Sequence, residues 1–240
     1  KAPPLNSLLK LAALLTLVVP AMSLSALVSG ANAAAPATSP GPALSFRVER
    51  GSTPIGTHTV SFTRKGEELH VAVDIELAVS FGPITVFRYE HRNRETWRGG
   101  KLVALETVTN DDGTKYKVSA KATEKGLEVT SSANGTFIAP DSIIPTSYWN
   151  PATIDQSELL DTQKGRILKV EMKPGAEFEA GVNGKPVPVR EYEMTGDLKL
   201  KLWYSPQMEW LNVIFRARGE NVDYRVVRID RQELQQVAQQ

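Results

Sequence analysis

Apolar and polar residues alternate with a period of two over long stretches of this chain, a pattern that half-buried β-strands require. Val71, Val73, Ile75, Leu77 and Val79 take one parity; His70, Ala72, Asp74, Glu76 and Ala78 take the other. The pattern recurs towards the C-terminus. Leu198, Leu200, Leu202 and Tyr204, then Val222, Tyr224 and Val226, alternate with polar residues such as Lys199, Lys201, Asp223 and Arg225. Turn pairs punctuate these runs at Lys65-Gly66, Gly99-Gly100, Asp112-Gly113, Lys125-Gly126, Asn134-Gly135, Asn183-Gly184 and Ser205-Pro206. Several place glycine where a tight hairpin needs positive φ. Strands joined by hairpins are antiparallel, because a parallel neighbour requires a crossover of about a dozen residues. The spacing therefore predicts a mainly β domain, one long antiparallel meander of about ten to twelve strands. A flat sheet of that many twisted strands would leave one side wet, so it is expected to curl into a half-barrel or barrel. Pattern alone leaves open whether the enclosure is a filled core or a ligand cavity.

One stretch breaks the alternation. Between Ala139 and Gly165 stand Pro140, Pro145 and Pro151, with Tyr148-Trp149-Asn150 among them. Asn150 suits an N-cap, and Pro151 suits the first helical position, where its missing N–H costs nothing. Residues Ala152 to Leu160 then read as a short helix. This loop-and-helix insertion, near 139–165, is expected to lie across the open side of the sheet. The tail from Arg231 to Gln240 is polar and Gln-rich, and is expected to fray.

The first residues differ in composition from the rest. Lys1 and Lys10 precede an apolar run from Leu11 to Val19, and Ala31-Asn32-Ala33 fits the small-x-small pattern of a signal-peptidase site. The run is far shorter than the roughly 20 residues needed to span a bilayer. Residues 1–33 are therefore expected to be a cleavable signal peptide, leaving no stable membrane span and a periplasmic protein. Residues 34–43, rich in Ala, Pro, Ser and Gly, read as a flexible linker, and 44–230 as a single antiparallel domain. No cysteine follows the leader to carry a lipid.

Of the chain's 28 Lys and Arg and 27 Asp and Glu, only Lys1 and Lys10 lie in the leader, so the remainder is close to neutral. Nothing in that balance points to nucleic acid or to an anionic membrane surface. The absence of cysteine excludes thiol catalysis and thiolate metal sites. The histidines are three, His58, His70 and His91. Strand parity sets His58 with Val60 and Phe62 on the apolar face but His70 opposite Val71, so a three-histidine metal site is rejected. There is no Gly-x-Ser-x-Gly elbow and no phosphate-binding glycine loop. Glu67-Glu68 and Asp111-Asp112 read as turn residues rather than a glycosidase pair. No catalytic residue, metal ligand or cofactor is assigned.

The run from Thr85 to Trp97 is the most informative. Its even face, Val86, Arg88, Glu90, Arg92, Arg94 and Thr96, is a largely charged row suited to solvent. Its odd face, Phe87, Tyr89, His91, Asn93, Glu95 and Trp97, mixes aromatic with polar groups, and a buried polar group without a partner costs about 1–3 kcal/mol. Two readings stand. Either the odd face lines a cavity with a few polar anchors, or the strand's outer half leaves the core and His91, Asn93 and Glu95 are solvated. Tyr148 and Trp149 likewise either form a lid or pocket wall, or staple the loop to the sheet. The candidate ligand-binding set is Phe87, Tyr89, His91, Glu95, Trp97, Tyr148 and Trp149.

Several segments together resemble a family of exported proteobacterial envelope domains of unknown function. They are Glu95–Leu102, with Trp-x-Gly-Gly-Lys-Leu; Ile144–Pro151, with Ser-Tyr-Trp-Asn-Pro; Leu202–Ser205; and Val222–Arg225. The resemblance implies an envelope protein on a curved antiparallel sheet, similar in outline to periplasmic lipoprotein carriers, and carries over no catalytic residue. Ser205 stands where the family pattern has Asp after Trp-Tyr, which matters only for the turn.

The leading functional expectation is a non-catalytic periplasmic carrier that encloses a hydrophobic or amphiphilic ligand such as a lipid. The alternative is an envelope structural or interaction module, docking another envelope protein through Arg88, Glu90, Arg92 and Arg94. A hydrolase acting on envelope lipid or glycan is the third, with no nucleophile, base and orienter to place together.

Overall fold

The computed structural model describes residues 42–182, 184–217 and 219–238. The leader expected over 1–33 and nearly all of the linker over 34–43 lie outside the described residues. Ala43, the last linker position, is already buried in the core.

The described residues form fifteen strands, more than the ten to twelve expected. The first eight are β1 (Leu44–Arg50), β2 (Thr53–Lys65), β3 (Glu68–Phe81), β4 (Ile84–Arg98), β5 (Lys101–Asp111), β6 (Thr114–Thr123), β7 (Gly126–Ser131) and β8 (Gly135–Ala139). After the proline-containing segment come β9 (Ile144–Pro145), β10 (Glu158–Leu160), β11 (Ile167–Val182), β12 (Lys185–Gly196), β13 (Leu200–Tyr204), β14 (Trp210–Ala217) and β15 (Glu220–Ile229). They build one sheet in the order β8-β7-β6-β5-β4-β3-β2-β1-β15-β14-β13-β12-β11-β10-β9. Its two edges, β8 and β9, do not pair, so the long curved sheet stays open. Every neighbouring pair is antiparallel except the two-residue contact of β9 with β10.

The first and last strands meet at the middle of this order. Leu44 to Arg50 of β1 pair with Ile229 to Val222 of β15, which joins two meandering wings. Phe46, Val48, Val60, Val73, Leu202, Tyr204 and Trp210 are among the buried residues of the shared core, and Phe46 packs on Trp210 with ring centroids 4.2 Å apart. Where β1 shifts register against β2 the backbone must come close. Gly56 sits there at φ +153, and a Cβ on it would lie 1.9 Å from the carbonyl oxygen of Glu76.

Two expected local structures differ. The helix expected over Ala152–Leu160 is only a 3-10 helix, Pro151–Asp155, although Asn150 caps it as expected, accepting from the Ala152 N–H at 3.0 Å. Gln156 is extended, and Glu158–Leu160 becomes a strand because Leu159 and Leu160 are fully buried between β11 and β9. Tertiary pairing overrides a weak local helix preference here. The C-terminal tail, expected to fray, forms helix α1 (Arg231–Ala238). Asp230 caps it, accepting from Glu233 N–H through Oδ1, and Glu233 Oε1 accepts the backbone N–H of Phe62 at 3.0 Å, which ties the helix to β2.

Candidate functional site

The hairpins β2–β3–β4 set three rows of side chains across the inner face. His58 pairs with Ile75, which pairs with His91; Val60 pairs with Val73, which pairs with Asn93; Phe62 pairs with Val71, which pairs with Glu95. One parity choice therefore brings His58, His91, Asn93 and Glu95 to the same side, and all four are buried. This overturns the reading in which the outer half of β4 leaves the core with His91, Asn93 and Glu95 solvated. The opposite face behaves as the alternation requires: Arg88, Glu90, Arg92 and Arg94 are exposed, with Arg94 paired to Asp74 at 2.8 Å.

His58, Ile75 and His91 of the first row, with Val73 and Asn93 of the second, form one wall of a cavity of about 690 Å3, within the usual range for small-molecule sites. The connector between β8 and β11, residues 140–166, supplies another wall through Thr146, Ser147, Tyr148 and Asp161–Lys164, and β14 and β15 supply Val213, Phe215 and Tyr224. A second cavity of about 470 Å3 adjoins it, sharing Ile75, Tyr89, Asp111, Gln163, Phe215 and Tyr224. Its other residues are mainly apolar, among them Ile55, Leu77, Val79, Phe87, Ala217 and Val222. The result is a two-compartment chamber: the first, called inner, is lined by polar and apolar groups alike, and the second, called outer, is mainly apolar. At their junction the Tyr89 hydroxyl donates to Gln163 Oε1 at 3.2 Å, and Gln163 Nε2 donates to Asp111 Oδ2 at 3.1 Å. Beyond the apolar compartment the β3–β4 hairpin leaves Phe81 83%, Ile84 64% and Val86 55% exposed.

The connector is fastened to both wings. Thr107 and Ser131 donate to the carbonyls of Thr162 and Lys164, each at 2.6 Å, and the Tyr204 hydroxyl donates to the carbonyl of Tyr148 at 2.7 Å. Tyr148 adopts φ +60, a left-handed backbone that a bulky residue keeps only when its surroundings impose it. Below it lies the node on Glu95. Trp97 and Trp149 both donate indole N–H to Oε2, at 2.8 and 2.9 Å, and Asn93 donates to Oε1 at 2.7 Å. Burial raises the Glu95 pKa above its ordinary value, against the hydrogen bonds that favour the carboxylate.

Of the residues singled out in the sequence, Tyr89, His91 and Tyr148 line the inner compartment and Phe87 lines the outer one. Glu95, Trp97 and Trp149 are brought together in the adjacent buried node; the two indoles also border a separate cavity of about 450 Å3 near Trp210. Sequence reasoning missed His58, Tyr224, Phe215, Asp111 and Gln163 as chamber residues. Parity had placed His58 on the apolar face, which was the available signal for it. His58 is wrapped by Phe46, Trp210 and Tyr224, at centroid distances of 5.5, 5.2 and 5.6 Å. Burial, then the nearby His91, lowers its pKa to about 3. Burial likewise lowers His91 to about 4, and its Nδ1 meets Thr109 Oγ1 at 2.7 Å. Both rings are neutral at physiological pH. The third histidine, His70, lies on the opposite face, half-buried beside Glu68.

The family model for a domain of unknown function, DUF6134, matches residues 46–227, well over half of the chain. The chain belongs to that family. The DUF6134 region takes in the chamber, the connector and the Glu95 node, while α1 lies beyond it. A crystal structure titled as a beta-barrel-like protein of domain of unknown function DUF1849, from Brucella abortus, is similar in fold. It superposes with a TM-score of 0.55 over 78% of this chain and 94% of that one, at 11% identity. This likeness shows the barrel-like architecture alone. No curated protein matches the chain. Among the described residues of this DUF6134 domain and its flanks, no helix is long and apolar enough to cross a membrane.

Proposed function

We propose that this protein is a non-catalytic binding or carrier protein that encloses a hydrophobic or amphiphilic ligand, and that it works in the periplasm after export. The observation that carries the reading is the two-compartment chamber. Its apolar part, walled by Leu77, Val79, Phe87 and Val222, suits a hydrocarbon chain, and its polar part, walled by Tyr89, His91, Asn93 and Tyr148, suits a head group. The export element rests on the leader-like pattern up to Ala33. The non-catalytic element rests on the sequence, in which no nucleophile, base and orienter can be placed together.

The test is native mass spectrometry of the protein purified without detergent, followed by solvent extraction and a titration with an environment-sensitive fluorescent fatty acid. A co-purifying lipid near unit stoichiometry, or saturable uptake of the probe, is the expected result. A clean apo mass together with no probe uptake overturns the reading and moves attention to the exposed Arg88–Arg94 row as a protein-docking face.

A further inference from the structure

We propose that the inner compartment is a recognition site for an uncharged, hydroxyl-bearing head group, built on His58 with Asn93 and His91 beside it. The inference rests on the binding reading above and names the ligand class for the same chamber.

The ring nitrogens of His58, Nδ1 and Nε2, and the Oδ1 oxygen of Asn93 are buried and have no hydrogen-bond partner among the described residues. Each unmet buried group of this kind costs about 1–3 kcal/mol. The residues are not scattered: both border the inner compartment, and strand pairing sets them on adjacent rows of one wall, either side of Ile75 and Val73. His58 is 3% exposed and Asn93 0%. Aromatic rings pack around His58, which also borders the chamber. A wall that keeps a donor and two acceptors unmatched is arranged for something the chamber receives.

The chemistry of those atoms selects the partner. A neutral imidazole offers one N–H donor and one acceptor nitrogen, and Asn93 Oδ1 adds a second acceptor. A hydroxyl both donates and accepts, so it can meet whichever ring nitrogen it reaches, accepting from the N–H or giving its own proton to the unprotonated nitrogen. A carboxylate or phosphate only accepts, and would set its lone pairs against Asn93 Oδ1 and the unprotonated ring nitrogen. An ammonium only donates, and would leave the imidazole N–H unmet. The chamber's charged groups do not single out an ion. Lys164, Arg166, Lys199 and Arg216 face Asp111, Asp161 and Asp197 around the same space. Of these, Arg166 is paired with Asp161 at 3.2 Å, Asp111 with Gln163 at 3.1 Å, and Asp197 with the Lys169 N–H at 2.9 Å. The hydroxyl lies against the His58 wall, the imidazole turning about its Cβ–Cγ bond to meet it, and the chain runs past Ile75 into the apolar compartment.

The experiment is calorimetric titration of the full chain with 1-decanol and with decanoate, at about pH 8 where the acid is ionised. The two probes share one chain length and differ at the head. Decanol is expected to bind about tenfold or more tightly, equivalent to about 1.4 kcal/mol or more. His58→Phe is expected to erase that preference while the chain still binds and the protein still melts cooperatively. Equal affinities within about twofold, tighter binding of decanoate, or a preference that survives His58→Phe would each overturn the inference and leave the chamber reading standing. Binding of neither probe overturns the chamber reading itself. Should His58→Phe not fold, nitrogen NMR of the wild type decides: decanol should move both His58 ring resonances, and unmoved resonances overturn the assignment.

Discussion

Trp149 and Glu95 stand 54 residues apart in the chain, and the indole N–H of the first donates to the carboxyl Oε2 of the second over 2.9 Å. Trp97 shares that oxygen and Asn93 holds the other, so the connector is latched to β4 by a buried carboxyl that accepts three hydrogen bonds. Trp149→Phe keeps most of the apolar ring and deletes one N–H. It is expected to cost about 1–2 kcal/mol in urea unfolding and to speed amide exchange over residues 146–153 ahead of the strands. Glu95→Leu strands three donors at once and is expected to cost about 3 kcal/mol or more. A Leu variant as stable as the wild type would show that the latch contributes nothing to the fold.

The buried titratable groups give stability a pH dependence with two opposed parts. His58 and His91 fall from 6.5 to about 3 and about 4 on folding. The unfolded chain therefore binds more protons over that interval, and stability drops as pH falls below about 6.5. Glu95 shifts the other way, upwards from 4.5, so the folded chain holds the extra proton and that contribution is lost as pH rises through its folded pKa. In urea melts from about pH 7 to about pH 5, Glu95→Gln is expected to steepen the loss towards acid, and His58→Phe to flatten it. Parallel pH profiles for the wild type and both variants would contradict these assignments.

Gly165 seats the far end of the connector. It has φ +60, and a Cβ there would lie 2.6 Å from Ser131 Cβ and 2.9 Å from Val118 Cγ1. Gly165→Ala must either push the connector off β6 and β7 or shift two strands, and is expected to cost about 2–3 kcal/mol. The hydrogen bond from Ser131 to the Lys164 carbonyl should open with it. Faster amide exchange around Lys164, without change around Tyr148, would locate the damage.

The apolar compartment predicts a variant that blocks uptake without unfolding. Ala217 lines it from the end of β14 and is only partly buried. Ala217→Trp should fill part of the roughly 470 Å3 and reduce uptake of a fluorescent fatty acid severalfold, with a melting temperature near that of the wild type. Undiminished uptake would place the bound chain elsewhere.

Much of the fold was legible because alternation is a local signal. Val71 to Val79 read correctly as the buried and half-buried parity of a strand, and the Arg88–Arg94 row read correctly as outward. Tyr89, His91 and Tyr148 could be picked out because aromatics beside polar groups on an inward parity are unusual. Glu95 was harder. A carboxyl on a strand reads as solvated unless its donors are known, and one of those donors is Trp149, far along the chain. Leu159 and Leu160 misled for a related reason: strand pairing with Leu168 and Ile167 decides their conformation, and no nearby residue announces it. At the C-terminus Asp230 and Glu233 were a legible cap, hidden under a glutamine-rich composition.

The pairing of β1 with β15 also orders events during synthesis. Each wing is built almost entirely from neighbours in sequence, so its hairpins can zip as soon as each pair of strands is free to fold. The seam between the wings is different: Leu44 must wait for Ile229. Until the last strand is made, β1 presents one bare row of backbone donors and acceptors, next to Phe46 and Val48, to anything that can add a strand. A chain whose β15 has not yet formed is therefore adhesive at β1, and a chaperone that shields that one edge would serve it best.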